Sequence, residues 1–378
     1  EESIDKAAEV CRKVGIPLDK VVLEFEIQDA SKTLPPEVWA RGVKHSRNRG
    51  YGFRHWEVSN EPYVFGTSAF PEKDSYLKHF LAVSQAIRAV QPDAKIGMAT
   101  WGDDSMMQLA VGHYDFLVKH HYVFDPSTQT APFEALVLGS NYDKLDEIQH
   151  LNAIMHACNP NREVFQYDTE WGMHADAERG PGHNNRNANV IGTLHRAVRL
   201  LHYAREGMLK GSSSWEMFSP APQEGYTFGF IPKDTPGQYY MFYWLYYVFN
   251  RHVGEWTLQM DGTAPWYKPE EGLFKQQDAS GPLTPMLASL DSSGDKLFIV
   301  VVNGSWSRDV PCEIEFKHFE AGSAVGEFLS NDDLDASPLV KHKEDFVKPL
   351  SVAVREGVLR CTLPPHAACF ITINRAKP

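Results

Sequence analysis

The chain has 378 residues, of which 43% are hydrophobic and 23% charged, enough for one large globular domain and a smaller one. Lysine and arginine number 37 against 49 acidic residues, giving a net charge of −12. That balance argues against a nucleic-acid or anionic-membrane surface, which would need a basic face, and is compatible with a neutral ligand such as a sugar. The cysteines, Cys11, Cys158, Cys312, Cys361 and Cys369, are odd in number and lack CxxC spacing. A disulfide framework is therefore not expected, although one bridge within the last domain stays open, and the compartment cannot be read from them.

The chain opens in a helix, "EESIDKAAEVCRKVG". The strand "KVVLEFEI" follows, then a helix near "PPEVWARGVKHSRNRG" with prolines at its start. "HWEVSNEP" is the next strand, with Trp56 read as packing, and "DSYLKHFLAVSQAIRAVQP" is an amphipathic helix. "KIGMATW", the short helical "DSMMQLAVG" and "YDFLVKHHYVF" come next. Then follow the helix "YDKLDEIQHLNAIMHAC", the strand "REVFQYDTEWG", the helix "ANVIGTLHRAVRLLHYAREG" and the strand "GSSSWEMFSP". The most apolar run, "YYMFYWLYYVF" from Tyr239 to Phe249, is too short to span a bilayer and reads as a buried aromatic helix.

Strand and helix in strict alternation predict parallel βαβ units, and so many in a row predict a TIM-type (β/α) barrel over residues 1–250. Six barrel strands are legible, at Val21, His55, Lys95, Tyr114, Glu163 and Gly211. A closed barrel needs eight, so two are expected to be missing on the N-terminal side. From 251 to 378 the pattern becomes short strands with Gly, Asp, Ser and Pro turns, such as "DKLFIVVVNGS" and "HAACFITI", which predicts a β-sandwich.

In such a barrel, catalytic groups sit at the C-terminal ends of strands. Those ends carry Glu26 and Gln28, Asn60 and Glu61, Trp101, His120 with His121 and Tyr122, Glu170 with Trp171, and Trp215 with Glu216. Two carboxylates with aromatic walls suit glycosidic bond cleavage: one protonates the leaving oxygen while the other attacks the anomeric carbon or activates water. His120, His121 and Tyr122 with Asp168 offer a metal set on paper. Adjacent histidines point to opposite sides of a strand, so no metal is expected. Neither a P-loop nor a Rossmann fingerprint is present, and no cofactor is expected.

"WEVSNEP" and "YDTEWG" resemble the acid/base and nucleophile motifs of the clan A retaining glycoside hydrolases, and "HHY" resembles that clan's H-x-Y on the sixth strand. The downstream sandwich resembles that of the arabinofuranosidase and xylosidase families, 51 and 39. The resemblance implies Glu61 as acid/base, Glu170 as nucleophile and Asn60 on the sugar 2-hydroxyl. His120 and Tyr122 would stand beside the carboxylates, with Tyr122 as hydrogen-bond donor to Glu170. Trp101, Trp171 and Trp215 would be sugar-binding walls, with Trp215 as the pocket floor and Glu216 pointing away. By this alignment "VVLEFEI" is the third barrel strand, and an arginine usual in the clan is absent with the first two. A fragment, a processed form or a partner chain completing the barrel is expected on that ground. The reaction expected is retaining hydrolysis of an oligo- or polysaccharide, exo-acting and arabinofuranosidase- or xylosidase-like. An endo-acting glycanase and an inactive carbohydrate-binding protein are the alternatives.

Overall fold

The computed structural model describes residues 1–25, 33–64, 70–102, 104–123, 131–173, 186–207, 209–215, 218–219, 229, 231–232, 235–271 and 279–376. They form two compact units that are discontinuous in sequence. The first comprises Glu1–His121, Ile148–Trp171 and Met208–Ser213; the second comprises Tyr122–Glu147, Gly172–Gly207 and Ser214–Pro378.

In the first unit, six strands make one sheet in sequence order: β1 (Val22–Glu24), β2 (His55–Val58), β3 (Lys95–Ala99), β4 (Phe116–Val118), β5 (Phe165–Trp171) and β6 (Leu209–Ser214). The pairings from β1 through β5 are parallel. These are the six strands legible in the sequence. Helices α1 (Glu2–Val14), α2 (Pro36–Asn48), α3 (Lys73–Val90) and α4 (Asp104–Leu109) are interleaved with them. Alternation sorts the side chains into two faces. Trp56, Val58, Ile96, Met98 and Leu117 pack with Trp39, Val43, Phe80 and Ile87 of the helices. His55, Phe116, Phe165 and Tyr167 gather on the opposite face, with ring centroids 5.1–6.4 Å apart.

Helix α5 (Ser140–Cys158) runs from the second unit into the first. The second unit also holds α6 (Val190–Glu206), whose first turn is capped by Asn189 accepting from the Ile191 amide at 2.9 Å. The aromatic run becomes α7 (Met241–Phe249), with Phe242, Trp244 and Leu245 buried. Its C-terminal part is a β-sandwich. A six-stranded sheet is ordered 347–350, 321–329, 367–375, 296–303, 286–290 and 256–257, and a three-stranded sheet is ordered 310–315, 358–363 and 352–355. Leu297, Ile299 and Ile371 of the first sheet meet Leu359 and Leu363 of the second in one apolar core. Val300, Val302 and Phe370, on the other face of the six-stranded sheet, pack with Leu194, Val198 and Leu245 of α6 and α7. All five cysteines are free thiols, with Cys312 directly opposite Cys361 on neighbouring strands. No helix among the described residues is long and apolar enough to cross a membrane. The architecture is therefore a (β/α)8-type parallel sheet, represented by six strands, with a C-terminal β-sandwich.

One glycine is essential to the inner face. Gly97 lies opposite Phe116 in register, and a Cβ built there would sit 2.2 Å from the ring. Gly97→Ala should therefore destabilise the fold by about 1–3 kcal/mol, the usual cost of overpacking a core, seen as a lower denaturant midpoint. Gly52→Ala, where a Cβ meets nothing nearer than Leu18 at 3.9 Å, is the control and should leave that midpoint almost unchanged.

Candidate active site

The site begins where β2 stops. Ser59 has φ 68° and Glu61 has φ 42°, a left-handed conformation that ordinary side chains adopt only at a cost of about 1–3 kcal/mol each. Two such residues within three positions turn the backbone sharply and carry Glu61 away from the strand direction. Tyr76 braces the turn from α3. Its hydroxyl donates to the Val58 carbonyl at 3.0 Å and accepts from the Ala99 amide at 2.9 Å, tying the ends of β2 and β3 together. Between the two strained residues, Asn60 Oδ1 is buried with no hydrogen-bond partner among the described residues.

His120, two residues past β4, is the centre of the site and its side chain is only 2% exposed. Nδ1 lies 2.8 Å from Glu61 Oε1 and 3.5 Å from Glu170 Oε2. Nε2 lies 3.2 Å from Thr169 Oγ1, whose hydroxyl donates to Glu57 Oε1 at 3.2 Å. Glu57 Oε1 is 3.9 Å from Nε2, beyond a hydrogen bond but well within Coulomb range. One oxygen of Glu61, one of Glu170 and one nitrogen of His120 all lie within 4.8 Å of one another. Burial alone would push the imidazole pKa down. Glu57, Glu61 and Glu170 outweigh that and raise it from 6.5 to about 10, so His120 is an imidazolium at neutral pH. The Tyr63 hydroxyl accepts from the His120 amide at 3.3 Å. Burial first, and then the Glu61 charge, push that phenol well above its ordinary value, so Tyr63 stays neutral.

Glu61, His120 and Glu170 are also the donor set that could hold a cation. A metal needs the lone pair of a neutral imidazole nitrogen. In the metal-free chain both ring nitrogens lie within hydrogen-bond distance of oxygen atoms, Glu61 Oε1 and Thr169 Oγ1.

The structure brings Asn60, Glu61, His120, Glu170 and Trp101 into this neighbourhood. Trp101 meets Tyr63 edge-on at 6.0 Å, and its buried Nε1 has no partner among the described residues. Trp171 ends β5 fully buried, with no surface open to a ligand. His121 donates its amide to the buried Asp168 at 3.2 Å, leaving His120 alone among the carboxylates. Tyr122 and Trp215 belong to the second unit. There Tyr122 is 6% exposed and lies in the field of the buried Arg196, whereas Trp215 is 36% exposed. Glu26, Gln28, Glu216 and most of the polar stretch after β5 lie outside the described residues.

Three participants escape the strand-end reading: Glu57, Tyr63 and Thr169. The signal for two of them is alternation. Trp56 and Val58 face the helices, so Glu57 must face the other way. Thr169 shares the parity of Phe165 and Tyr167.

No protein-family model matches the sequence, and no curated protein matches it. Solved structures do. The α-L-arabinofuranosidase of Thermotoga maritima, solved as an arabinose complex, is similar with a TM-score of 0.78 at 14% identity, over 98% of this chain and 78% of that one. AbfB of Bifidobacterium longum, a family 51 α-L-arabinofuranosidase, gives 0.78 at 12% identity over the same shares. A monomeric β-xylosidase of Caulobacter crescentus gives 0.62 at 16% identity, over 90% of this chain and 74% of that one. The fold expected from the sequence is thus one that these arabinofuranosidases and this β-xylosidase share.

Proposed function

We propose that this chain is a retaining glycoside hydrolase with Glu170 as nucleophile and Glu61 as acid/base, carried on a barrel domain of residues 1–250 that is followed in sequence by a sandwich domain of residues 251–378. The observation that carries the reading is the approach of the two carboxylates to within 4.8 Å, oxygen to oxygen, across a shared imidazolium. A separation of about 5–5.5 Å between the carboxyl groups suits direct attack at the anomeric carbon, whereas about 6.5–9.5 Å leaves room for the water of an inverting enzyme. Glu170 attacks the anomeric carbon while the Glu61 proton passes to the departing oxygen, giving a glycosyl ester on Glu170. Glu61 then takes a proton from water as the water displaces the ester with a second inversion. Asn60, with its unpaired Oδ1, accepts a sugar hydroxyl. Trp101, which meets Tyr63 edge-on, is carried as the sugar-binding indole of this unit, whereas the fully buried Trp171 is not. The likeness to arabinofuranosidases and a xylosidase favours a pentoside released from a chain end.

Aryl glycosides and plant and algal polysaccharides, offered to wild type and Glu170→Gln side by side, test this. Turnover of at least one member should fall by about a thousandfold or more in the variant; equal turnover by both proteins would remove Glu170 from the chemistry. Glu61→Ala should lose about 10²–10⁴ in kcat/KM on substrates with poor leaving groups and much less on activated aryl glycosides. Azide should restore its rate with a glycosyl azide of retained configuration. An equal loss on all leaving groups with no rescue by azide would contradict the acid/base assignment.

His120 adds a prediction about stability. Its pKa is about 10 in the folded chain and near 6.5 when unfolded. Its contribution is therefore complete below pH 6.5 and disappears as pH rises through about 10. The stability gap between wild type and His120→Gln, read from denaturant midpoints, should narrow steadily across that window. A gap that does not vary with pH would mean the ring is neutral throughout.

A further inference from the structure

A histidine wedged between a nucleophile and an acid creates a difficulty. An imidazolium 2.8 Å from Glu61 stabilises the Glu61 anion, whereas the retaining reaction needs Glu61 to start protonated. Something must offset the positive charge. The groups facing the ring are Glu61 and Tyr63 beyond β2, Glu57 on β2, and Thr169 and Glu170 on β5. Tyr63 is neutral and Thr169 carries no charge. Glu61 and Glu170 are the reacting pair. Among these described groups Glu57 is the charge that remains, and its side chain is 4% exposed on the inner face of the sheet.

The hydrogen bonds fix the direction of the chain. A carboxylate only accepts, so the single hydroxyl proton of Thr169 goes to Glu57. The Thr169 oxygen must then accept from His120, so Nε2 carries a hydrogen. Nδ1 is left facing Glu61, and the imidazolium donates along that 2.8 Å line to Glu61 Oε1.

We propose that Glu57 is a positioning residue for the reaction: acting through Thr169, it is the fixed counter-ion of His120, so that Glu61 and Glu170 meet as a carboxylate pair holding one transferable proton. The inference rests on the retaining-hydrolase reading for its consequence, but the Glu57–His120 linkage can be measured without any substrate. Glu57 does not touch the sugar. It acts by offsetting the charge of the imidazolium that stands 2.8 Å from Glu61.

The test is Glu57→Gln, which keeps the shape and the acceptor for Thr169 but removes the charge. In ¹H–¹⁵N spectra of the His120 ring, the wild-type titration near pH 10 should move down by at least one unit, a tenfold loss of proton affinity. On any substrate that wild type turns over, the basic limb of kcat/KM against pH should move down by a similar amount. Thr169→Val breaks the bridge and leaves the charge, so it should give a smaller shift in the same direction, and it carries the test if Glu57→Gln does not fold. A His120 titration that moves in neither variant, with kcat falling uniformly at all pH values, would overturn the proposal and leave Glu57 a packing residue. If no substrate is turned over, the hydrolase reading fails while the titration still decides the linkage. If hydrolysis is intact and the titration is unmoved, the linkage fails alone.

Discussion

The arrangement depends on one buried imidazole that three carboxylates approach from two strands. His120 reaches Glu61 and Glu170 through one nitrogen and, through the Thr169 hydroxyl, Glu57 through the other. Bringing three acids this close in a largely water-excluded site is unfavourable unless a positive charge stands among them. With the imidazolium in place, an oxygen of Glu61 and an oxygen of Glu170 can stand within 4.8 Å of each other. The histidine is thus a structural requirement for the cluster and an electrostatic problem for the acid, and Glu57 reconciles the two.

The parallel sheet is what makes the convergence possible. Side chains on β2, β4 and β5 fall into register across neighbouring strands, so Glu57, Gly97, Phe116 and Phe165 form one row. Gly97 makes room there for the Phe116 ring, which packs with Phe165, Tyr167 and His55. The strands end at different heights. The left-handed backbone at Ser59 and Glu61 swings the acid towards the ring, and Tyr76 resists its relaxation. Strain held at a strand end by neighbouring packing is the mark of a site whose geometry matters more than its local stability.

Much of this was legible in the sequence because the governing signals are short-range. The six strands stand out as apolar runs between amphipathic helices; β2 ends at Val58, three residues before Glu61, and β5 at Trp171, one residue after Glu170. The aromatic stretch became α7, and the Gly- and Asp-punctuated strands of the C-terminal region became a sandwich. Glu57 and Thr169 precede the strand ends that carry the motif residues, although period-2 alternation turns them away from the helices. Tyr63 was missed for a different reason. It lies beyond the turn, and its meeting with the His120 amide depends on two positive φ values that no residue type announced, since neither position is glycine. The discontinuous composition of the two units was also invisible, because it depends on contacts between segments far apart in the chain.

The most direct test of the account is the configuration of the first-formed sugar, followed by ¹H NMR in the first minutes of hydrolysis, before mutarotation. Retention of the anomeric configuration is predicted from the proposed role of Glu170 as nucleophile, with its carboxylate oxygen within 4.8 Å of one of Glu61. An inverted first product would show that water attacks directly, and the paired glutamates bridged by His120 would have to be assigned a different division of labour.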